Sequence, residues 1–352
     1  MNWLQAPCPA PSAAHRDAAL AHQAQLTKPP GSLGRLERIA VDFAGWQSTP
    51  LPTLERIGVR VFAADHGISR RGVSAFPPEV TAQMIANFCH GGAAISVLSR
   101  ALGADFAVVN LGTFEPVPEP VPAATGLHNL QLAPGSADFS SGPAMSEALL
   151  EACLEAGRQQ VDALDCALFI AGDMGIGNTS SAAALCAAQL GWDARAVTGR
   201  GTGIDADTLA HKRQLIDAAL ARHQPRPDAP LHNLRCLGGL EIAAICGAYL
   251  RCGQRGIPVL VDGFIATAAA LLASAINPGL RPWLLAAHCS NESAHARVLA
   301  AMGLEPLLDL GMRLGEGSGA AVAVPLLQSA LALHREMATF SQAAISAGVA
   351  PT

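Results

Sequence analysis

An open, mainly parallel α/β sheet with helices on both faces, plus a small helical lobe built from both chain termini, is the fold that this 352-residue sequence predicts. Three observations carry that expectation. Half of the residues are hydrophobic and only 14% are charged, which suits a large buried core at a length of roughly two domains. Short apolar runs alternate with longer helical patterns from residue 57 to about residue 302, and continuous apolar runs fit strands buried on both faces of a parallel sheet. The runs end on Asp, His, Asn or Ser, at the strand ends where open α/β sheets bind their ligands.

The first 50 residues predict helices over about 13–26 and 34–47 and no strand. "RIGVRVFAADHG" then predicts a strand at 57–64, ending on Asp65 and His66. Pro77-Pro78 opens a helix running from 78 to about 101, with Gln83 and Met84 on its early turns. "DFAVVNLG" predicts a strand at 105–111, and the proline-rich "FEPVPEPVPAATG" at 114–126 a stiff surface loop. A helix over 145–163 leads into the strand of "CALFIAGD", 166–171, which ends at Asp173. Helices follow over 179–190, 205–222 and 238–253, then "IPVLVDG" gives a strand at 257–261 that ends on Asp262. A helix over 264–276 precedes the last strand, 282–287, after which come His288, Ser290 and Asn291 and a helix over 291–302. Such alternation implies right-handed crossovers and a Rossmann-like sheet. A helix over 318–338 joins the N-terminal ones, which puts residues 1–50 with 318–352 in the small lobe and 51–317 in the α/β domain.

A net charge of −5 and a pI near 6.1 exclude nucleic-acid binding through a bulk basic field. Aromatics are scarce, at 4%, and Ala and Gly take their place, as in tightly packed helices on a sheet. The nine cysteines form no CxxC pair and are odd in number, so free thiols in a reducing cytoplasm are the expectation. The N-terminal stretch lacks a basic region followed by an apolar core, and no apolar run reaches the length of a membrane span.

The segment "CALFIAGDMGIGNTSSAAALCAA" carries most chemistry. A strand runs into Gly172, Gly175 and Gly177, and Asn178-Thr179-Ser180-Ser181 opens an Ala-rich helix. Backbone N–H groups of Gly175, Ile176 and Gly177, added to a helix N-terminus, make a phosphate cradle. Thr179 or Ser180 is expected to cap that helix. A second loop, "VTGRGTGIDADTLAHK", brings Gly201 and Gly203 ahead of a helix in which Lys212 sits two turns in. Together they suggest one phosphate-bearing ligand held mainly by backbone. The spacing matches neither the dinucleotide nor the triphosphate fingerprint, so an NAD-dependent oxidoreductase does not fit. His288, Cys289 and His295 lack the further ligands of a tetrahedral metal site; neither metal nor cofactor is expected. In "DLGMRLGEGSGAA", Gly315 and Gly317 flank Glu316, and the bare backbone is expected to present that acid rather than bury it.

Several segments taken together resemble the nicotinate-nucleotide:5,6-dimethylbenzimidazole phosphoribosyltransferase family of cobalamin lower-ligand synthesis. They are "LTKPPGSLGRLE", "ADHGISRRGVSAFPPEVTAQM", "GDMGIGNTSSAA", "GRGTGID", "LGGLEIAA", "VDGFIATAAALLA", "HCSNESAH" and "LGMRLGEGSGAA", spread over nearly the whole chain. The resemblance implies a cytoplasmic homodimer that moves the phosphoribosyl group of nicotinate mononucleotide to dimethylbenzimidazole. It makes Glu316 the general base that takes the N–H proton of the attacking benzimidazole. Nicotinate leaves from a cationic pyridinium, so one base is enough. Burial beneath the benzimidazole is expected to raise the Glu316 pKa against the pull of nearby backbone N–H groups. The resemblance also places the phosphate against Gly175 to Thr179, including Asn178, with Ser290 and Lys212 assisting. Gly201 and Gly203 are to contact the ribose phosphate or the nicotinate, and Asp262 a ribose hydroxyl. Ser74, Gln83, Met84 and Leu314 are to line the acceptor pocket. One departure matters: the family motif G-E-M-G-I-G-N-T has Asp173 here in the Glu place. That shortens a possible second acid by one methylene and leaves Glu316 as the indispensable carboxylate.

Two alternatives share these features. The same reaction with another acceptor base, such as adenine or a phenol, differs only in pocket shape. A non-catalytic nucleotide-binding protein needs the pocket but not Glu316.

Overall fold

A computed structural model describes residues 1–119, 126–201 and 203–346. It divides into two compact units, Met1–Cys8 with Arg56–Val322 and Pro9–Glu55 with Ala323–Thr352. The elements run α1 (Ala13–Gln23), α2 (Arg35–Gln47), β1 (Ile57–Ala64), α3 (Val80–Cys89), α4 (Ala94–Leu102), β2 (Asp105–Gly112), β3 (Leu127–Asn129), α5 (Glu147–Asp162) and β4 (Leu168–Met174). Then follow α6 (Asn178–Leu190), α7 (Ala194–Val197), α8 (Ala206–His223), α9 (Pro230–Leu237), α10 (Leu240–Arg255) and β5 (Val259–Val261). The last are α11 (Phe264–Ile276), β6 (Leu284–Ala286), α12 (His295–Ala301) and α13 (Ser318–Glu336).

The first unit holds one sheet in the order β3-β2-β1-β4-β5-β6, and every neighbouring pair is parallel. All eight residues of β1 are buried, because β1 lies inside the sheet, with Val61 paired to Val108 on one side and to Gly172 on the other. The chain winds outward from β1 to β3 and then restarts at β4 on the other flank of β1. At such a reversal the two crossovers diverge, leaving a crevice beyond the carboxyl ends of the strands. Asp65, Asp173, Asp262 and His288 all fall at or just past strand ends.

Small residues bring helices close. A Cβ on Gly157 of α5 would collide with the Ala244 carbonyl, and one on Gly247 of α10 with the Leu154 carbonyl. The two helices therefore pack backbone against backbone. The first eight residues also dock on this unit. Gln5 Nε2 donates to Ile276 O at 2.9 Å, and Asn277 Nδ2 donates to Leu4 O and Ala6 O.

The second unit contains α1, α2 and the part of α13 from Ala323 onward. Ser12 caps α1 by accepting from His15 N–H, and Ala19, Val41 and Ala44 form a small apolar cluster. His334 receives a hydrogen bond from Gln23 Nε2 at 2.8 Å and reaches Pro50 O at 2.9 Å.

The five predicted strands are present, with four differences around them. β3 has half-exposed residues and no apolar run, so it leaves no mark in the pattern; residues 120–125 of the proline-rich segment lie outside the described residues. The helix expected over 78–101 is two, because Gly91 at φ +77 stops α3 and Gly92 follows. The helix expected from 291 begins at His295, since Ser290 Oγ accepts from Glu292 N–H in a local turn. Helices α7 and α9 were not expected. Among the described residues no helix is long and apolar enough to cross a membrane.

Candidate active site

A cavity of about 320 Å³ opens in the first unit, lined by the segments that follow β4, β5 and β6, by α3 and by the turn at 313–316. Glu316 forms part of its wall. Gly315, Glu316 and Gly317 have φ of 81, 65 and 88, three left-handed residues in succession. Glycine adopts that region freely, so only Glu316 carries strain, a cost that side chains bear mainly where function needs them. The turn closes through Ser318 Oγ, which donates to Gly315 O at 2.7 Å. It also lies flat on β4: a Cβ on Gly172 would run into the Glu316 carbonyl.

Glu316 is buried, at 5% exposure, and not the exposed acid expected. The glycines bend the backbone so sharply that the side chain turns into the cavity. Its Oε2 accepts from Ile95 N–H in the first turn of α4, at 3.4 Å, which favours the carboxylate. Burial nevertheless outweighs this bond, and the Glu316 pKa is raised above its ordinary value, with the Asp262 charge adding to the rise.

Asp262 does not face the cavity. Its Oδ1 accepts from Ala320 N–H at 2.7 Å and its Oδ2 from Gly317 N–H at 3.1 Å, while His288 Nε2 stands 3.7 Å from Oδ1. Both oxygens are thus engaged by the Glu316 turn, and Asp262, for which a ribose contact was expected, is not among the residues lining the cavity. Asp173 does line the cavity. Its Oδ2 accepts from Asn178 Nδ2 at 3.0 Å, and its buried Oδ1 has no partner among the described residues. Burial, then the charges of Asp262 and Glu241, raise its pKa well above the ordinary value.

Of the glycine loop, Gly175, Ile176, Asn178 and Thr179 line the cavity and Gly177 does not. Gly177, at φ 99, stands at the N-cap of α6 without any side-chain cap, so neither Thr179 nor Ser180 caps the helix. Gly175 has no room for a side chain between Ala64 O and the His66 ring. The backbone cradle is narrower than expected. Ile176 N–H donates to Thr81 Oγ1, Asn178 N–H to Gly175 O and Ser180 N–H to Gly177 O. Side chains fill the gap: Lys212 Nζ donates to Thr179 Oγ1 at 2.7 Å. Lys212 is 1% exposed, and burial pushes its pKa down to about 8. Ser290 also lines the cavity. Its N–H donates to His295 Nδ1 at 2.8 Å, and burial, then His288, push the His295 pKa to about 3, which leaves a neutral structural ring.

Gly201 reaches this cavity, whereas Gly203 lines a neighbouring one of about 490 Å³. Among the expected acceptor residues, Met84 and Leu314 face the first cavity; Ser74 and Gln83 do not. Val80 and Met84 are four apart on α3 and share a face, which turns Gln83 outward. Ser74 Oγ instead accepts from Phe76 N–H at 3.2 Å, and Phe76 enters the cavity. Phe264, Ile265, His288, Glu292 and Arg313 also line the wall; none was assigned a substrate contact, since four of them read as ordinary core, loop or surface residues and His288 only as a polar residue past a strand end. All five nonetheless stand in segments already singled out: Phe264 and Ile265 in "VDGFIATAAALLA", His288 and Glu292 in "HCSNESAH", and Arg313 in "LGMRLGEGSGAA".

A parallel α/β protein of the 3-2-1-4-5-6 strand order, with its cavity beyond the strand ends, is the class that fold and site define. The comparisons narrow it. The phosphoribosyltransferase family profile matches residues 8–345. The nicotinate-nucleotide–dimethylbenzimidazole phosphoribosyltransferase of Ectopseudomonas mendocina is 52% identical over 349 residues, 98% of each chain. That of Azotobacter vinelandii is 54% identical over 347 residues, 98% of this chain and 97% of the relative. The crystal structure of the Thermus thermophilus protein of the same name superposes with a TM-score of 0.89 at 44% identity, covering 96% of this chain and all of that one. The chain belongs to the nicotinate-nucleotide–dimethylbenzimidazole phosphoribosyltransferase family and is a pentosyltransferase.

Proposed function

We propose that the chain transfers the phosphoribosyl group of nicotinate mononucleotide to 5,6-dimethylbenzimidazole, yielding α-ribazole 5′-phosphate and nicotinate, with Glu316 as general base. The relatives' names supply the substrates; the observation that carries the base assignment is the strained Gly315–Glu316–Gly317 turn, which aims a carboxyl of raised pKa into the cavity. One nitrogen of the benzimidazole attacks C1′ of the ribose while Glu316 takes the proton from the other. A raised pKa makes that carboxylate a better acceptor, as general-base catalysis asks. Phe76, Val80, Met84, Phe264, Ile265 and Leu314 supply the apolar surface for the acceptor ring. Gly175, Asn178, Thr179 and Ser290 receive the phosphate, with Lys212 acting through Thr179. Asp173, its pKa raised by burial, is the second acid, facing the donor nucleotide.

The test is a product assay with nicotinate mononucleotide and dimethylbenzimidazole, following both products by chromatography, with Glu316→Ala alongside. Both products from the wild type, and their loss in a variant that still binds nucleotide, support the reading. Nicotinate without α-ribazole phosphate calls for a panel of acceptors including adenine and phenols, because an apolar pocket selects mainly by shape. We also propose a homodimer, which sedimentation tests, and a cytoplasmic setting, which the nine free thiols support.

A further inference from the structure

We infer that Glu292 is an exchangeable counter-ion of the phosphate pocket: its carboxylate pairs with the same groups that receive the donor's phosphate, and it turns to Arg313 when that phosphate binds. The inference rests on the phosphoribosyl transfer proposed above, which brings a phosphate to Thr179, Lys212 and Ser290.

Glu292 stands between two cavities. Together with Gly201 and Arg313 it lines both the proposed substrate cavity and the neighbouring one of about 490 Å³. Its carboxylate lies against the Gly199–Gly201 backbone, so that a Cβ on Gly199 would collide with Oε2. It accepts from Gly201 N–H and feels the charges of Lys212 and Arg313. Its own N–H donates to Ser290 Oγ at 3.2 Å. Gly201 and Lys212 thus bear on the Glu292 carboxylate and Ser290 on its backbone N–H; Gly201 and Ser290 line the cavity, and Lys212 bonds Thr179, which also lines it.

Two anions compete there for one buried ammonium. Lys212 is nearly sealed from water, and burial favours its neutral form, while the Glu292 charge opposes that loss. The Glu292 charge therefore favours the ammonium form of Lys212. A phosphate arriving beside Thr179 offers Lys212 a stronger partner and sets two negative groups side by side in a partly dry site, where like charges repel strongly. The neighbouring cavity provides the outlet. Arg200, Arg213 and Arg313 all line it, and the buried Nε of Arg213 has no partner among the described residues. Nucleotide binding then includes the cost of parting Glu292 from Lys212, and removing the charge removes that cost.

The test uses the full chain as wild type, Glu292→Gln and Glu292→Asp at pH 6.5, below the Lys212 value of about 8. Binding of inorganic phosphate is measured by calorimetry, and binding of nicotinate mononucleotide is compared with that of the riboside lacking the phosphate. Glu292→Gln is expected to tighten phosphate and nucleotide roughly three- to tenfold, the scale of a one-unit pKa interaction, and to leave the riboside unchanged. Glu292→Asp keeps the charge and stays near wild type. Weaker binding of both nucleotide and riboside by Glu292→Gln overturns the inference and makes Glu292 a ribose-hydroxyl acceptor. Unchanged phosphate affinity, or phosphate binding by neither protein, overturns it as well. The phosphate arm is independent of turnover, so a wild type that makes no α-ribazole phosphate defeats the proposed function while leaving the counter-ion question decided by phosphate alone.

Discussion

Asp262 grips the turn that carries Glu316, accepting from Gly317 N–H at 3.1 Å and from Ala320 N–H at 2.7 Å. An acid after β5 thus sets the aim of the proposed base from behind, without entering the cavity. Asp262→Asn keeps the volume but turns one acceptor into a donor that faces a backbone N–H. The turn shifts, and kcat is expected to fall on the order of a hundredfold, the scale of small misplacements in a reacting pair. KM for the nucleotide is expected to change much less. A variant with wild-type kcat shows that the turn holds its shape without this bond.

Glu316→Gln removes the proposed base without changing its size, and kcat is expected to fall by about 10²–10⁴. Stability moves the other way. The folded pKa of Glu316 is raised above its ordinary 4.5, so the folded chain binds more protons than the unfolded one in the window just above that value. Stability is therefore lost as pH rises through the window, as the buried carboxylate forms. The amide never pays that cost, and Tm at neutral pH is expected to equal or exceed the wild-type value in a thermal melt.

The same shift sets a pH profile. A base works only when deprotonated, so kcat is expected to decline on the acid side through a pKa above 4.5. An acid limb at or below that value in a profile of kcat at saturating substrate rules out a buried Glu316 as the group responsible.

Gly172→Ala tests the seat of the turn. Its Cβ would collide with the Glu316 carbonyl, and strand β4 cannot yield because β1 and β5 hold it on both sides. The turn must move. Overpacking of this kind costs about 1–3 kcal/mol, seen as a lowered Tm, and activity is expected to drop with it. A Tm loss with full activity shows that the strand moved instead.

Lys212→Ala is expected to raise KM for nicotinate mononucleotide roughly tenfold or more, the value of one charge-assisted hydrogen bond. In the wild type the ammonium is present below about 8 and lost above it, so KM is expected to climb as pH rises through that value. A KM flat from neutral pH to well above 8 means that Lys212 does not serve the phosphate.

Much of the sheet was readable because a buried parallel strand needs an unbroken apolar run, and "RIGVRVFAADHG" or "CALFIAGD" has few other uses. β3 was not, since two half-exposed residues and one exposed residue at a sheet edge need no such run. The glycines at 175, 177, 315 and 317 announced close approaches and left-handed turns through their type alone. Met84 and Leu314 line the cavity and Ser74 and Gln83 do not: Gln83 lies on the other face of α3 from Val80 and Met84, and Ser74 sits in the loop before α3, where Phe76 enters the cavity instead.

The sequence by itself determined the α/β class, the strand ends that carry polar residues, and the Gly-Glu-Gly turn, because each depends on local periodicity or on one residue's backbone freedom. Only the tertiary structure decided which ends meet. His66 bonds Ser181 Oγ at 3.1 Å and Glu241 Oε1 at 2.7 Å, joining three segments far apart in the chain behind the glycine loop. It also decided that Glu316 is buried, that Asp262 serves its turn, and that burial raises the Asp173 pKa. Those states depend on the summed desolvation and charge of groups brought together by the strand order, and no spacing along the chain contains that sum.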